Sequence, residues 1–152
     1  MAIAIPLHLL AAMLWVGGMI FAHQMLRPVA AELLEPPLRQ PLWVGVFSRF
    51  FPWVWVAIAT LLLTGYWMTF AVFGGFAHVG LYVHVMHGLA LLMIAIFVYV
   101  YFVPFQGLKQ AVAQQAWPQG KAHLDRIRDM VGINMLIGIL TIAIGAGGRY
   151  LL

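Results

Sequence analysis

The residues of this chain best suited to coordination chemistry are six histidines, at positions 8, 23, 78, 84, 87 and 123, and nine methionines; there is no cysteine. The lack of cysteine excludes a disulfide framework, a thiolate metal site and a thiol nucleophile. Neutral imidazole is the commonest metal ligand in proteins, and thioether sulfur suits soft ions such as Cu(I). Three of the histidines fall in "HVGLYVHVMHGLALLM" (78–93), at the mouth of a long apolar run. Ionisable groups at the edge of hydrocarbon are costly, so His84 and His87 are expected to have a task. His78, in the turn before that run, reads as a water-facing residue.

The elements that must position these rings follow from composition. Of 152 residues, 64% are hydrophobic and 8% charged, and the mean hydropathy is +0.98. A soluble domain of this size cannot hide so much apolar surface, so the surrounding solvent is lipid. The pI near 9.9 reads as a signal of membrane orientation and not of nucleic-acid binding. Four segments reach the roughly 20 residues that a crossing needs: 3–26, 50–73, 79–103 and 130–152. The first is long enough to stay as a span and is not expected to be cleaved. Pro52 falls in the first turn of the second, Pro104 closes the third, and Gly74–Gly75 marks a tight turn between them. Trp43, Trp53, Trp55, Tyr99 and Tyr101 lie near span ends, where an interfacial belt would put them.

Arg27, Arg39 and Arg49 flank the first connection and Lys109, Lys121, Arg126 and Arg128 the third, whereas the 74–78 turn carries no charged side chain. The positive-inside rule puts both basic connections in the cytoplasm and both termini outside. The expected fold is all-α: an integral membrane four-helix bundle, up-down-up-down, in a single domain. "AAELLEPPL" and "LKQAVAQQAW", in connections of about 23 and about 26 residues, read as amphipathic pieces at the interface. Asn134 is expected to serve as interhelical glue, and Gly132, Gly138, Gly145, Gly147 and Gly148 to permit close packing. The Gly- and Ala-rich flanks allow a homodimer without requiring one.

In such a bundle the first and third spans run parallel on a diagonal. His8 and His84 each lie about five residues into their span, roughly 8 Å below the outer boundary. A diagonal gap of roughly 12–14 Å is too wide for a direct bond but suits two imidazoles clasping the metal of one flat macrocycle. One haem b between His8 and His84 is therefore the first expectation. Ala12, Trp15, Met19 and Ala22 share the face of His8, with Trp15 as a wall, and Gly88, Leu91 and Ala95 line up beneath His84. Met68 reaches the same level as a wall or substitute ligand. His87 is placed to ligate in place of His84 or, with Arg149 and Tyr150, to hold propionates. His23 and His123, the latter read as a loop residue, are expected at the opposite surface, as interfacial groups or contacts for a quinone head group. The alternative is copper without haem, drawing on "HVMH" (84–87) with Met13, Met19 and Met68.

The segments "LHLLAAMLWVGGMIFAHQMLRP", "FSRFFPWVWVAIATLLLTGYWM", "LYVHVMHGLALLMIAIFVYVYFVPF" and "IRDMVGINMLIGILTIAIGAGGRY" resemble, in that order, the membrane domain of the copper-resistance protein D (CopD) family. That resemblance implies a bacterial inner-membrane protein linked to copper homeostasis. A more distant likeness is to the HemJ-type protoporphyrinogen IX oxidases, whose opening His, Trp and Gly are matched by His8, Trp15 and Gly18. It implies His8 as a haem ligand. HemJ proteins continue with a Leu-Pro-Arg-Leu segment and carry a lysine in the third helix, where this chain has "MIFAHQMLRP" and "HVMH". Three readings follow: a cytochrome b-like electron-transfer protein between quinone and a periplasmic redox or copper partner, a haem-free copper protein, and a porphyrinogen oxidoreductase.

Overall fold

A computed structural model describes residues 1–151. Its helices are α1 (Ala4–Ile20), α2 (Arg27–Leu33), α3 (Pro36–Trp67), α4 (Leu81–Phe102), α5 (Pro104–Ala113) and α6 (Trp117–Leu151). Two short π-helical stretches, Phe21–Leu26 and Met68–Val72, extend α1 into α2 and lengthen α3. Four continuous stretches result, Ala4–Leu33, Pro36–Val72, Leu81–Ala113 and Trp117–Tyr150, each apolar and long enough to cross a membrane. There is no strand among the described residues. A chain in hydrocarbon must satisfy its backbone polar groups internally, which a helix does within one segment.

The helices run well past the spans expected at 3–26, 50–73, 79–103 and 130–152, the last of which ends on a residue outside those described. The two long connections are themselves largely helical. Only Leu34 and Glu35 separate α2 from α3, and only residues 114–116 separate α5 from α6. The prolines explain the joints. Pro36 and Pro37 open α3, where a missing N–H is harmless, so Pro41 and Pro52 both lie inside the helix instead of starting it. Pro28 has no N–H for the Gln24 carbonyl, and just before it the ladder slips to a wider spacing, the Arg27 N–H reaching the Ala22 carbonyl. His123, expected in a loop, lies on α6 with its ring flat against Gly107 of α5.

Helix α1 packs chiefly on α3, and α4 and α5 on α6. Their shared core is aromatic. Trp43, Phe47 and Phe51 stack at 5.2 and 5.0 Å along one face of α3, an i, i+4 ladder onto which Phe97 and Phe105 close edge-on. Trp55 and Tyr101 join this cluster 5.5 Å apart. Of the expected interfacial belt, Trp53 and Tyr99 are exposed, while Trp43 is buried and Trp55 and Tyr101 are half-buried in the core. Their positions on the inward stripe of each helix outweigh their nearness to its end. On the outside, Leu9, Leu10, Leu63 and Leu136 stand exposed, as lipid-facing side chains do.

Glycine sets the interhelical distances. Phe50 lies directly over Gly18, and Tyr82 over Gly148. A methyl group on Gly138 would sit 2.8 Å from Val16 and 3.0 Å from Met93, and one on Gly145 2.9 Å from the Met86 sulfur. Asn134 ties α6 to α4 by donating to the Met93 carbonyl at 3.2 Å. Overpacking such a notch costs on the order of 1–3 kcal/mol. Gly138→Leu should therefore lower the unfolding temperature in detergent. Nothing lies within 4 Å of a methyl on Gly147, and Gly147→Ala should leave it unchanged or raise stability by up to about 1 kcal/mol.

Candidate functional site

At the end of the molecule carrying His8, polar side chains meet within the apolar stretches. His8 shares the face of α1 that buries Ala11, Trp15 and Met19, and its Nδ1 lies 2.8 Å from the Thr64 hydroxyl of α3. That hydroxyl donates its single hydrogen to the Thr60 carbonyl at 2.6 Å, one turn back. It is left to accept from His8, so Nδ1 carries a proton, and in the neutral form of the ring the Nε2 lone pair is free. Gly65 makes room for the ring: a methyl there would be 3.4 Å from His8 Cε1. A ring N–H anchored to a second group while the other nitrogen stays open is the arrangement that orients metal-binding histidines.

Residues of α4 flank the same turn of α3. The Tyr66 hydroxyl is within hydrogen-bonding reach of His87 Nε2, 3.4 Å away. Phe76, in the 3₁₀ turn Phe76–His78, packs its ring 5.3 Å from His87, 5.8 Å from His84 and 6.2 Å from Tyr66. His87 is half-buried and His84 exposed. The reason is rotational. Met93, Phe97 and Val100 form the buried face of α4, and His84, nine residues before Met93, lies half a turn away at 100° per residue. Gly88, Leu91 and Ala95 share that outer face and are exposed as well, so the residues expected to line the core beneath His84 do not. His8 is held on α3 instead, and His84 is not turned toward it.

The other candidates are dispersed. Trp15 is buried, with its ring 6.2 Å from Phe97. Together with Met19 it borders a 20 Å³ cavity in the middle of the core, two turns below His8. Met68, half-buried, opens the π-helical stretch one turn beyond Thr64. Met86 is half-buried against Gly145 of α6. Met13 is exposed and Met19 buried, so the methionines expected to join "HVMH" do not gather as a set. Arg149 is exposed, its guanidinium 4.9 Å from the Tyr150 ring, one residue beyond the notch that receives Tyr82. His78 is exposed in the turn. His23 lies at the opposite, basic end against Gly132. No group of three or more His, Asp or Glu side chains gathers as a metal cluster among the described residues. Sequence reasoning missed Thr64, Tyr66 and Phe76; two threonines four apart in "ATLLLTGYW" (59–67) carry the signal for the first.

Four long apolar helices around a common core, with polar side chains meeting between them at one end, define a multi-pass membrane protein in contact with the bilayer. The chain belongs to the copper resistance protein D (CopD) family, whose profile matches residues 44–147. This makes it a membrane protein related to copper resistance. No curated protein and no solved structure matches it.

Thr64→Val removes the acceptor that fixes the His8 tautomer. Nitrogen-15 spectra of the imidazole should show the Nδ1–H form in the parent protein and a tautomer mixture in the variant. Thr64→Ser should restore the parent pattern.

Proposed function

We propose that the protein binds copper at the His8 end of the membrane domain, with His8 Nε2 as the anchoring ligand. The observation that carries this reading is the relay from the Thr60 carbonyl through the Thr64 hydroxyl to His8 Nδ1, which orients the ring and leaves Nε2 as the nitrogen available to a metal. Cu(I) takes imidazole and thioether ligands and tolerates low coordination in such surroundings. His87, beside Tyr66, and Met68, one turn beyond Thr64, are the donors of suitable chemistry at that end, and membership of a copper-resistance family favours copper as the ion. By the positive-inside rule, the end bearing Arg27, Arg39, Lys121 and Arg128 is cytoplasmic. The helices then cross up-down-up-down with both termini outside, and the copper site faces the outer side of a bacterial inner membrane.

A second reading is haem b. The Nε2 of His8 would equally serve as a ligand to haem iron. His8 would hold the iron from α1 and His84 or His87 from α4, with Trp15 and Met68 as walls and Arg149 for propionates. Bound there, a haem would supply one-electron redox chemistry between a quinone and an outer acceptor. His84 would have to turn inward from its exposed position, whereas His87 is half-buried already. This ranks haem below copper and His87 above His84.

The experiment is metal analysis and absorption spectroscopy of the full chain purified from cells supplied with both copper and haem precursor. Copper retained stoichiometrically as Cu(I), without a Soret band, is the expected result. His8→Ala should abolish it, Thr64→Val should weaken it by about 10–100-fold, and His123→Ala should leave it intact. A Soret band with reduced α and β bands and no bound copper would replace this reading with the haem one.

A further inference from the structure

The basic end holds a cavity of about 390 Å³ that the copper reading leaves without a role. Its polar wall carries Arg27, Arg39, Lys121 and Arg128, against one carboxylate, Asp125, and its apolar side is built from Trp43 and Phe47 together with Ile127 and Val131. These cations are not equivalent. Lys121 pairs with Asp125, and Arg128 with Asp129 at 3.0 Å and Asp125 at 3.7 Å. Arg27 and Arg39 make no ion pair among the described residues, and Arg27 Nε is buried without a hydrogen-bond partner. A half-buried guanidinium without a counter-ion is costly. Two of them on one cavity call for an anion.

The fold builds this wall on purpose-shaped elements. The π-helical stretch Phe21–Leu26 brings Ala22 and His23 to the cavity and is followed at once by Arg27; such stretches are frequent at functional sites. Gln40, almost fully buried, donates to the Trp117 carbonyl at 2.8 Å. That bond locks the start of α6 to α3, so the cations contributed by three helical segments stay apposed.

We propose that this cavity binds the phosphate head of an anionic amphiphile, specifically a phospholipid of the leaflet on that side. Guanidinium groups fork onto phosphate oxygens in a way that a neutral head group cannot exploit. The aromatic floor adds the second half of the argument: a free inorganic anion has no use for Trp43 and Phe47, whereas the first methylenes of a lipid do. The size is within the range of small-ligand sites, and the cavity sits at the level where helices pass from apolar to charged sequence.

The test is native mass spectrometry of the full chain released from mixed micelles. Phosphatidylglycerol and phosphatidylcholine are offered in separate arms, and phosphatidylglycerol with excess inorganic phosphate in a third. Saturable retention of phosphatidylglycerol over phosphatidylcholine, on the order of tenfold or more, is expected, with a comparable loss in the Arg27→Gln/Arg39→Gln double variant. Arg149→Gln, which removes a cation from the far end, should retain the lipid fully. Ala31→Trp, an exposed substitution at the cavity wall, should also displace it and serves if the double variant does not fold. Equal retention of phosphatidylcholine, unchanged retention in the cavity variants, or an equal loss in Arg149→Gln would overturn the proposal. Displacement by inorganic phosphate at matched concentration would overturn the lipid assignment in favour of a soluble phosphate.

Discussion

Close approach at glycine is the constraint on which the rest of this structure depends. Lipid tails are as apolar as leucine, so helices in a bilayer gain little from burial as such and must gain from dispersion contacts at short range. Along α6 the missing side chains of Gly132, Gly138, Gly145 and Gly148 admit His23, then Val16 and Met93, then Met86, then Tyr82. Three of these four notches hold residues of α4, and they fix its rotation as well as its distance. Once Tyr82, Met86 and Met93 face α6, His87 must lie toward α3 and His84 must point away. The chemistry at the His8 end is therefore decided by packing on the far side of α4.

The threonine hydroxyls inside the helical stretches are settled locally. Thr60, Thr64, Thr69 and Thr141 each return their hydroxyl hydrogen to the carbonyl four residues back, which is how a hydroxyl survives without water. This leaves an oxygen lone pair on each helix surface, and at Thr64 it meets a histidine from another helix. A small side chain thus becomes the group that holds His8. The two ends of the molecule then differ in kind. Near His8 a histidine, threonines and a tyrosine meet between apolar helices; at the other end guanidinium groups line a cavity beside a single carboxylate. The aromatic core, from Trp15 through Phe97 to Phe51, lies between the two ends.

Much of the architecture was legible because membrane crossing is a property of one segment at a time. A run of apolar residues long enough to span hydrocarbon needs no partner to declare itself, and all four did so. Helix ends were harder to read. Pro52 looked like a start because proline is tolerated there, yet Pro36 and Pro37 begin the helix sixteen residues earlier and carry it through two further prolines. Asn134 was expected as interhelical glue, and it does bond α6 to α4. The pairing of His8 with His84 rests on equal depth, which counts residues along an axis but does not say where each helix turns its face. On a helix as apolar as α4, hydrophobicity is nearly uniform around the axis, and no stripe reveals the inward side.

The sequence by itself determined the solvent, the four apolar helices, the absence of thiol chemistry and the few residue types able to hold a metal, because each follows from composition or from order along one segment. Tertiary structure alone decided which histidine is anchored, which is exposed and which cations share a cavity. Those outcomes depend on the rotation of one helix against another, set by glycine notches and single hydrogen bonds between residues far apart in the chain.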